Sequence, residues 1–242
     1  MFRITFFFVI GLFSLHAQAS IVVMGTRVVY PAQDKSINVQ INNSAGDTPS
    51  LVQSWMDTGD ASATPDAIKV PFIITPPVFR IEPKAGQTLR ILYTQEPLPD
   101  DRESLFYLNV LEIPAKPKLK NSDGQSMNYL QLAVRNRIKF FFRPDNLSVS
   151  QADAFQKVTW KIERNGNDTF IRGDNPTPYY ITYNQIVIEQ GGKSIIAKQG
   201  GMVAPFSSST FHITGQPAPG AKVKWTVVND YGGHLKGETP LL

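Results

Sequence analysis

Apolar side chains recur at every second position through long parts of this chain, as in Ile37-Asn38-Val39-Gln40-Ile41, Leu89-Arg90-Ile91-Leu92-Tyr93 and Leu130-Gln131-Leu132-Ala133-Val134. In extended backbone successive side chains point to opposite faces, so a period of two puts one face against a core and the other in water. Wound into a helix, the same residues would scatter their apolar atoms around the axis. Further strands are predicted at 158–162, 179–188, 210–213 and 223–228, separated by Gly, Pro, Asn and Ser clusters at the spacing of a sandwich. No long segment carries a 3.6-residue period, and the predicted fold class is all-β. With 42% hydrophobic and 18% charged residues, and 17 Gly and 18 Pro scattered rather than repeated, collagen-like, coiled-coil and wholly disordered chains are excluded.

The pattern breaks once, at Arg143-Pro144-Asp145-Asn146, directly after the strand-like Arg137-Ile138-Lys139-Phe140-Phe141-Phe142. Proline has no amide hydrogen to give to a ladder, so it ends the strand and stiffens the exit. About 120 residues precede the break and about 100 follow it, each the size of an immunoglobulin-like sandwich. The expected domains are 20–143 and 144–242. Residues 1–19 read as a signal peptide, with Arg3 as the positive end, the apolar run 6–13, and Ala17-Gln18-Ala19 as a small-x-small cleavage site. That run is shorter than the ~20 residues of a spanning helix, and no later stretch reaches that length, so no membrane insertion is expected. Cleavage would leave Ser20 first and 23 basic against 20 acidic residues.

Absent residues limit the chemistry. With no Cys there are no disulfides, thiolate nucleophiles or Cys-based zinc sites. An exported chain without Cys must depend on packing, and its expected compartment is the bacterial periplasm. The three His, His16, His212 and His234, have no ligand-spaced partners, so neither a metal nor a catalytic centre is expected, and the chain reads as no enzyme and without cofactors. A net charge of +4, spread evenly, gives no basic runs for nucleic acid.

One segment is unusual. The extended pattern of 128–142 is about three times the usual strand of ~5 residues. It follows a loop, 115–129, that carries Lys116, Lys118, Lys120 and Asp123-Gly124. It reads either as a long central strand with one buried face, or as an edge strand that offers Leu130, Leu132 and Val134 to another chain.

The residues around these features resemble the PapD-like periplasmic chaperones of the chaperone-usher pathway, which assembles adhesive pili. The resemblance is carried by Leu98-Pro99-Asp100-Asp101-Arg102-Glu103-Ser104-Leu105-Phe106-Tyr107-Leu108-Asn109-Val110-Leu111-Glu112-Ile113-Pro114. It continues in Thr26-Arg27, Thr75-Pro76-Pro77, Arg137-Ile138-Lys139 with Phe142-Arg143-Pro144, Asn175-Pro176-Thr177-Pro178-Tyr179-Tyr180, and Asn229-Asp230-Tyr231-Gly232-Gly233. It implies two immunoglobulin-like β-sandwich domains joined at a hinge in a boomerang, with a cleft that binds a pilin whose own sandwich lacks a strand. The chaperone supplies that strand, donor-strand complementation, and delivers the subunit to an outer-membrane usher without ATP. Leu130, Leu132 and Val134 are then the donated side chains. At ~25 cal/mol per Å² and on the order of 100 Å² each, they contribute roughly 7 kcal/mol before entropy is subtracted.

By the same resemblance Arg27 and Lys139 anchor the subunit's terminal carboxylate, and Glu103, Arg143 and Asp230 form an interdomain ion network. A self-capping homodimer is a further expected partner state. The loop before Leu130 is long for the short-loop branch, yet the cysteine pair usual in long-loop relatives is missing. The short-loop type is therefore expected. The rival reading is a sugar-binding or adhesive sandwich that uses Trp55, Trp160 and Trp225 as stacking platforms.

Overall fold

The computed structural model describes residues 21–44, 48–115, 131–218 and 220–242. The expected signal segment 1–19 and Leu130 lie outside them. The first half of the chain forms β1 (Ile21–Val23), β2 (Arg27–Pro31), β3 (Ser36–Asn43), β4 (Ser50–Asp57), β5 (Phe72–Thr75), β6 (Val78–Ile81), β7 (Gly86–Tyr93), β8 (Ser104–Pro114) and β9 (Val134–Arg143). They make two sheets, ordered β1-β3-β7-β5 and β2-β9-β8-β4-β6. Alternation decides which side chains meet between the sheets: Ile41 with Leu89 and Ile91 from one, Tyr30, Val52, Leu108, Val110 and Phe140 from the other. Each large side chain taken out of water there contributes about 1.5–3 kcal/mol.

The second half adds a short helix, α1 (Gln151–Lys157), then β10 (Thr159–Asn165), β11 (Asp168–Asn175), β12 (Ile181–Gln190), β13 (Lys193–Ile196), β14 (Gly201–Val203), β15 (Ser207–Ile213), β16 (Lys222–Val228) and β17 (His234–Pro240). Ser150 caps α1 by accepting from the Asp153 amide at 3.2 Å. At seven residues the helix is too short to leave a helical period in the sequence. The two sheets run β10-β11-β15 and β13-β12-β16-β17, with β14 also on β12. Trp160, Ile171, Ile181, Tyr183, Val223, Trp225 and Val227 fill the space between them.

The tryptophans answer the rival reading. Trp160 and Trp225 are 0% and 3% exposed, so neither ring is a platform on the surface. Both lie flat over glycine backbone on a neighbouring strand: a Cβ on Gly173 would come within 2.8 Å of the Trp160 ring. A Cβ on Gly237 would collide with Trp225 outright. Trp55 is half-buried, with the Arg135 guanidinium over its ring.

The two apolar clusters share no residue, so the chain has two sandwiches with separate cores, in the boomerang arrangement. One expectation needs correcting. Of the extended pattern 128–142, residues 128–130 lie outside the described ones; β9 begins at Val134, opposite Glu112, and 131–133 carry no strand pairing among the described residues. The reason is on the facing strand, where Pro114 has no amide hydrogen to extend the β8–β9 ladder. The Gln131 side chain instead donates to the Pro114 carbonyl at 2.7 Å.

Candidate functional site

β2 and β9 run parallel, and their register sets Arg27 directly opposite Lys139. Both side chains reach the second sandwich: Arg27 Nη1 donates to the Val228 carbonyl at 3.0 Å and Lys139 Nζ to Thr182 Oγ1 at 3.0 Å. The Arg27 guanidinium also sits 5.7 Å from the Phe141 ring centre, and its buried Nε has no hydrogen-bond partner. Among the described residues neither cation forms an ion pair with a carboxylate. Burial disfavours the charged form of Lys139, and the Arg27 charge adds to that, bringing the lysine down to about 8. Burial likewise lowers Arg27, against the opposing pull of Asp230 and Glu103. Two half-buried cations side by side, met among the described residues only by neutral oxygens, keep donor capacity to spare, and a planar fork beside a point charge has the chemistry to suit a carboxylate.

Four residues on, β9 ends at Arg143, whose surroundings are the reverse. Its Nε donates to Glu103 Oε1 at 2.8 Å, and its two terminal nitrogens grip the Asp230 carboxylate at 2.7 and 2.9 Å. The two carboxylates outweigh burial and hold the guanidinium well above its ordinary value. Burial raises Glu103, whereas for Asp230 the Arg143 contacts overcome burial and lower it. Glu103 also joins the sandwiches through its backbone. Its amide donates to the Pro178 carbonyl at 2.9 Å, and its Oε2 accepts from the Tyr180 amide at 2.8 Å. Asp230 is presented by a turn in which Asn229 Oδ1 accepts from the amides of Tyr231 and Gly233 at 3.1 and 2.8 Å. Gly232 completes the turn at φ +81°, so close to Thr26 that a Cβ there would stand 2.5 Å from its hydroxyl.

The third group is the start of β9. β2 pairs only from Lys139 onward, so 134–138 have β8 on one side and, among the described residues, no strand on the other. Val134 opens this stretch and Leu132 stands two residues before it, 43% and 65% exposed, while the even positions further on, Phe140 and Phe142, are core. Val134 precedes Lys139 by five residues, about 17 Å of extended chain at ~3.3 Å per residue.

Arg27 and Lys139 are thus brought together at the base of the open edge, and Glu103, Arg143 and Asp230 meet at one point between the sandwiches. Leu132 and Val134 are both exposed, and Leu130 is outside the described residues. Further contributors that no sequence expectation gave a role are Thr182, Val228, Pro178, Tyr180 and Gln151, whose amide donates to Asp230 Oδ1. Tyr180 stood inside a motif that carried the resemblance. Thr182 is one polar residue in an alternating strand, and Val228 acts through its carbonyl, so neither leaves a mark in the sequence. Among the described residues no group of three or more His, Asp or Glu is placed to hold a metal ion, and no helix is long and apolar enough to cross a membrane.

Residues 20–148 match the family described as Pili and flagellar-assembly chaperone, PapD N-terminal domain, and residues 153–239 match Pili assembly chaperone PapD, C-terminal domain. The chain is 43% identical over 244 residues to the chaperone protein HifB of Haemophilus influenzae, covering 98% of this chain and 97% of that one. It is 44% identical over 234 residues to the probable fimbrial chaperone YadV of Escherichia coli, covering 95% of this chain and 93% of that one. The YadV crystal structure superposes with a TM-score of 0.77 at 40% identity, over 92% of this chain and 100% of that one. The Salmonella enterica SafB chaperone, solved in complex with the SafA pilin, superposes with a TM-score of 0.73 at 28% identity, over 92% and 96%.

Proposed function

This chain belongs to the PapD family of pilus-assembly chaperones, and from that premise we propose that it captures pilin subunits in the periplasm by donor-strand complementation at the open edge of β9. A subunit sandwich that lacks a strand exposes unpaired backbone and an apolar groove. The β9 edge supplies ladder partners, and Leu130, Leu132 and Val134 supply side chains at the matching period of two. Arg27 and Lys139 take the subunit's terminal carboxylate. That contact sets the register, because a slip of one residue would present the wrong face of the strand. Glu103, Arg143 and Asp230 hold the two sandwiches at the angle that keeps the cleft open. The hinge lies at 143/144, residues 1–19 direct export, and the loaded subunit passes to an outer-membrane usher with no nucleotide consumed.

The observation that carries this reading is the Arg27–Lys139 couple, without a carboxylate partner among the described residues, at the base of an edge where those residues place no partner strand. A half-buried pair of like charges destabilises the unloaded protein, and an arriving carboxylate reverses the sign of that cost. The deciding experiment is co-expression with a pilin from the same bacterium. A one-to-one complex that protects the pilin from proteolysis is expected, and its loss in Arg27→Ala and Lys139→Ala, with both variants folded, tests the anchor. Normal capture by both variants sinks it. The exposure of Leu132 and Val134 supports a second state, a homodimer in which two unloaded copies cover each other's edges. Ultracentrifugation of the unloaded protein tests it.

A further inference from the structure

The open edge of β9 carries two arginines, Arg135 and Arg137. Cations on an exposed edge ordinarily discourage pairing, because an incoming strand must displace their water or bury their charge. Here both are drawn away from it. Asp57, at the end of β4, has a side chain only 1% exposed and takes the Arg137 fork, with Nε at 2.8 Å from Oδ2 and Nη2 on Oδ1. Asn109 Nδ2 donates to Asp57 Oδ2 and the Gly59 amide to Oδ1, both at 2.7 Å. Arg135 follows the same course: Nη2 stands 3.6 Å from Asp57, Nε donates to Asn109 Oδ1 at 2.8 Å, and Nη1 to the Ala61 carbonyl at 2.7 Å. Each guanidinium lies over a ring of the same sheet, Arg137 at 3.6 Å from the Tyr107 centre and Arg135 at 4.9 Å from Trp55. All these partners belong to β4, to β8 or to the chain that follows β4, on the side away from the open edge.

We propose that Asp57 is a positioning residue for strand addition: it draws Arg135 and Arg137 back across their own sheet and so keeps the edge of β9 clear for an incoming extended segment. The inference rests on the donor-strand reading above. Without the carboxylate the two cations are free to swing outward and protect the edge against pairing.

The test is the rate at which the source bacterium's major pilin, unfolded in urea, is captured on dilution into the chaperone. Asp57→Asn keeps the shape and removes the charge, and capture slows about tenfold while circular dichroism shows a folded protein. Adding Arg135→Gln and Arg137→Gln to that variant restores the rate to within about twofold, since the released charges are gone. If Asp57 served only to stiffen the sheet, the triple variant would remain as slow as the single one, and that result overturns the proposal. So does an Asp57→Asn protein that captures at the parent rate. The Arg135→Gln/Arg137→Gln pair in the parent background leaves Asp57 with Asn109 and Gly59 and captures at no less than the parent rate. A loss there overturns the proposal whether or not Asp57→Asn folds. Leu132→Asp isolates the premise: capture at the parent rate in that variant defeats strand addition itself, whereas slow capture there beside a slow triple variant defeats only the role of Asp57.

Discussion

Two cationic centres lie within five residues at the end of β9, and their surroundings differ in one respect. Arg143 meets two carboxylates, Glu103 and Asp230, with every contact at 2.7–2.9 Å. Arg27 and Lys139 meet a carbonyl and a hydroxyl, both at 3.0 Å. Both centres are removed from water, and in both the removal costs free energy. In one the chain offsets that cost from its own residues. In the other, among the described residues, no carboxylate of the chain does so, and on the proposed reading a subunit's carboxylate supplies the offset. Matched charge here joins the two sandwiches, and if the unmatched charge serves a subunit's carboxylate as proposed, substitutions at the two centres should fail in opposite ways.

The largest effect tests that opposition directly. Arg27→Ala or Lys139→Ala removes one of two repelling half-buried cations, so pilin capture falls at least a hundredfold while the melting temperature of the unloaded protein holds or rises. Titration calorimetry against a peptide with a free carboxyl terminus, beside a thermal scan, checks both halves. A fall in melting temperature without loss of binding would erase the contrast. Next in size is Arg143→Ala, which strands the buried Glu103 against Asp230 and costs about 3–5 kcal/mol. Urea unfolding measures it, and small-angle scattering shows a widened distribution of interdomain distances. Here stability falls first, and capture falls only as far as the domain angle is lost.

How far each centre could be read from the sequence follows the same division. The strands of the core were legible because burial imposes period two, whereas the consecutive Phe140, Phe141 and Phe142 show no alternation and leave their inward side open. Phe141 is as buried as its neighbours, yet against Tyr180 of the other sandwich, at 5.9 Å between ring centres. Alternation within one strand carries no information about a second domain. Arg27, Lys139, Glu103, Arg143 and Asp230 were nameable through the family resemblance, since as bare residues they are five ordinary charges scattered over 204 positions. Thr182 and the Val228 carbonyl stayed invisible, because their part is set by where the hinge places them. The point at which β9 joins the ladder, Val134, has a local cause, the missing amide of Pro114, which lies on the facing strand and leaves no mark in the alternation of β9 itself.

The third effect is a dependence on alkaline pH that only the unmatched centre should show. Burial brings Lys139 to about 8 against an ordinary 10.5. Between those values the unfolded chain holds a proton that the folded chain has released. The unloaded protein therefore gains stability as pH rises through that window, and below it this gain is absent. Carboxylate binding requires the protonated lysine and runs the other way, weakening by up to tenfold per unit above pH 8. Lys139→Met should abolish both slopes; urea unfolding of the unloaded protein across pH 7 to 10 reads the first and a peptide titration at pH 7, 8 and 9 the second. Identical slopes in parent and variant would assign the dependence elsewhere.

The smallest expected effect sharpens the matched centre. Asp230→Asn keeps the size of the side chain and one acceptor for Arg143, which still has Glu103 at 2.8 Å. Asp230 is partly open to water, its side chain 24% exposed, so the loss should stay near 1–2 kcal/mol, well below that of Arg143→Ala. Because Asp230 is held below the ordinary carboxylate value by Arg143, against burial, its contribution is present above about pH 4 and fades as pH falls further. The variant should therefore match the parent more closely at pH 3 than at pH 7. The same Asp230 charge also attracts Arg27, so its removal lowers Arg27 further and makes that cation costlier to keep charged. A double-mutant cycle of Asp230→Asn with Arg27→Ala should then show a coupling of about 0.5–1 kcal/mol, small because no hydrogen bond joins the two. A coupling as large as that between Asp230 and Arg143 would mean that the two centres are one network, and the contrast drawn between them would no longer hold.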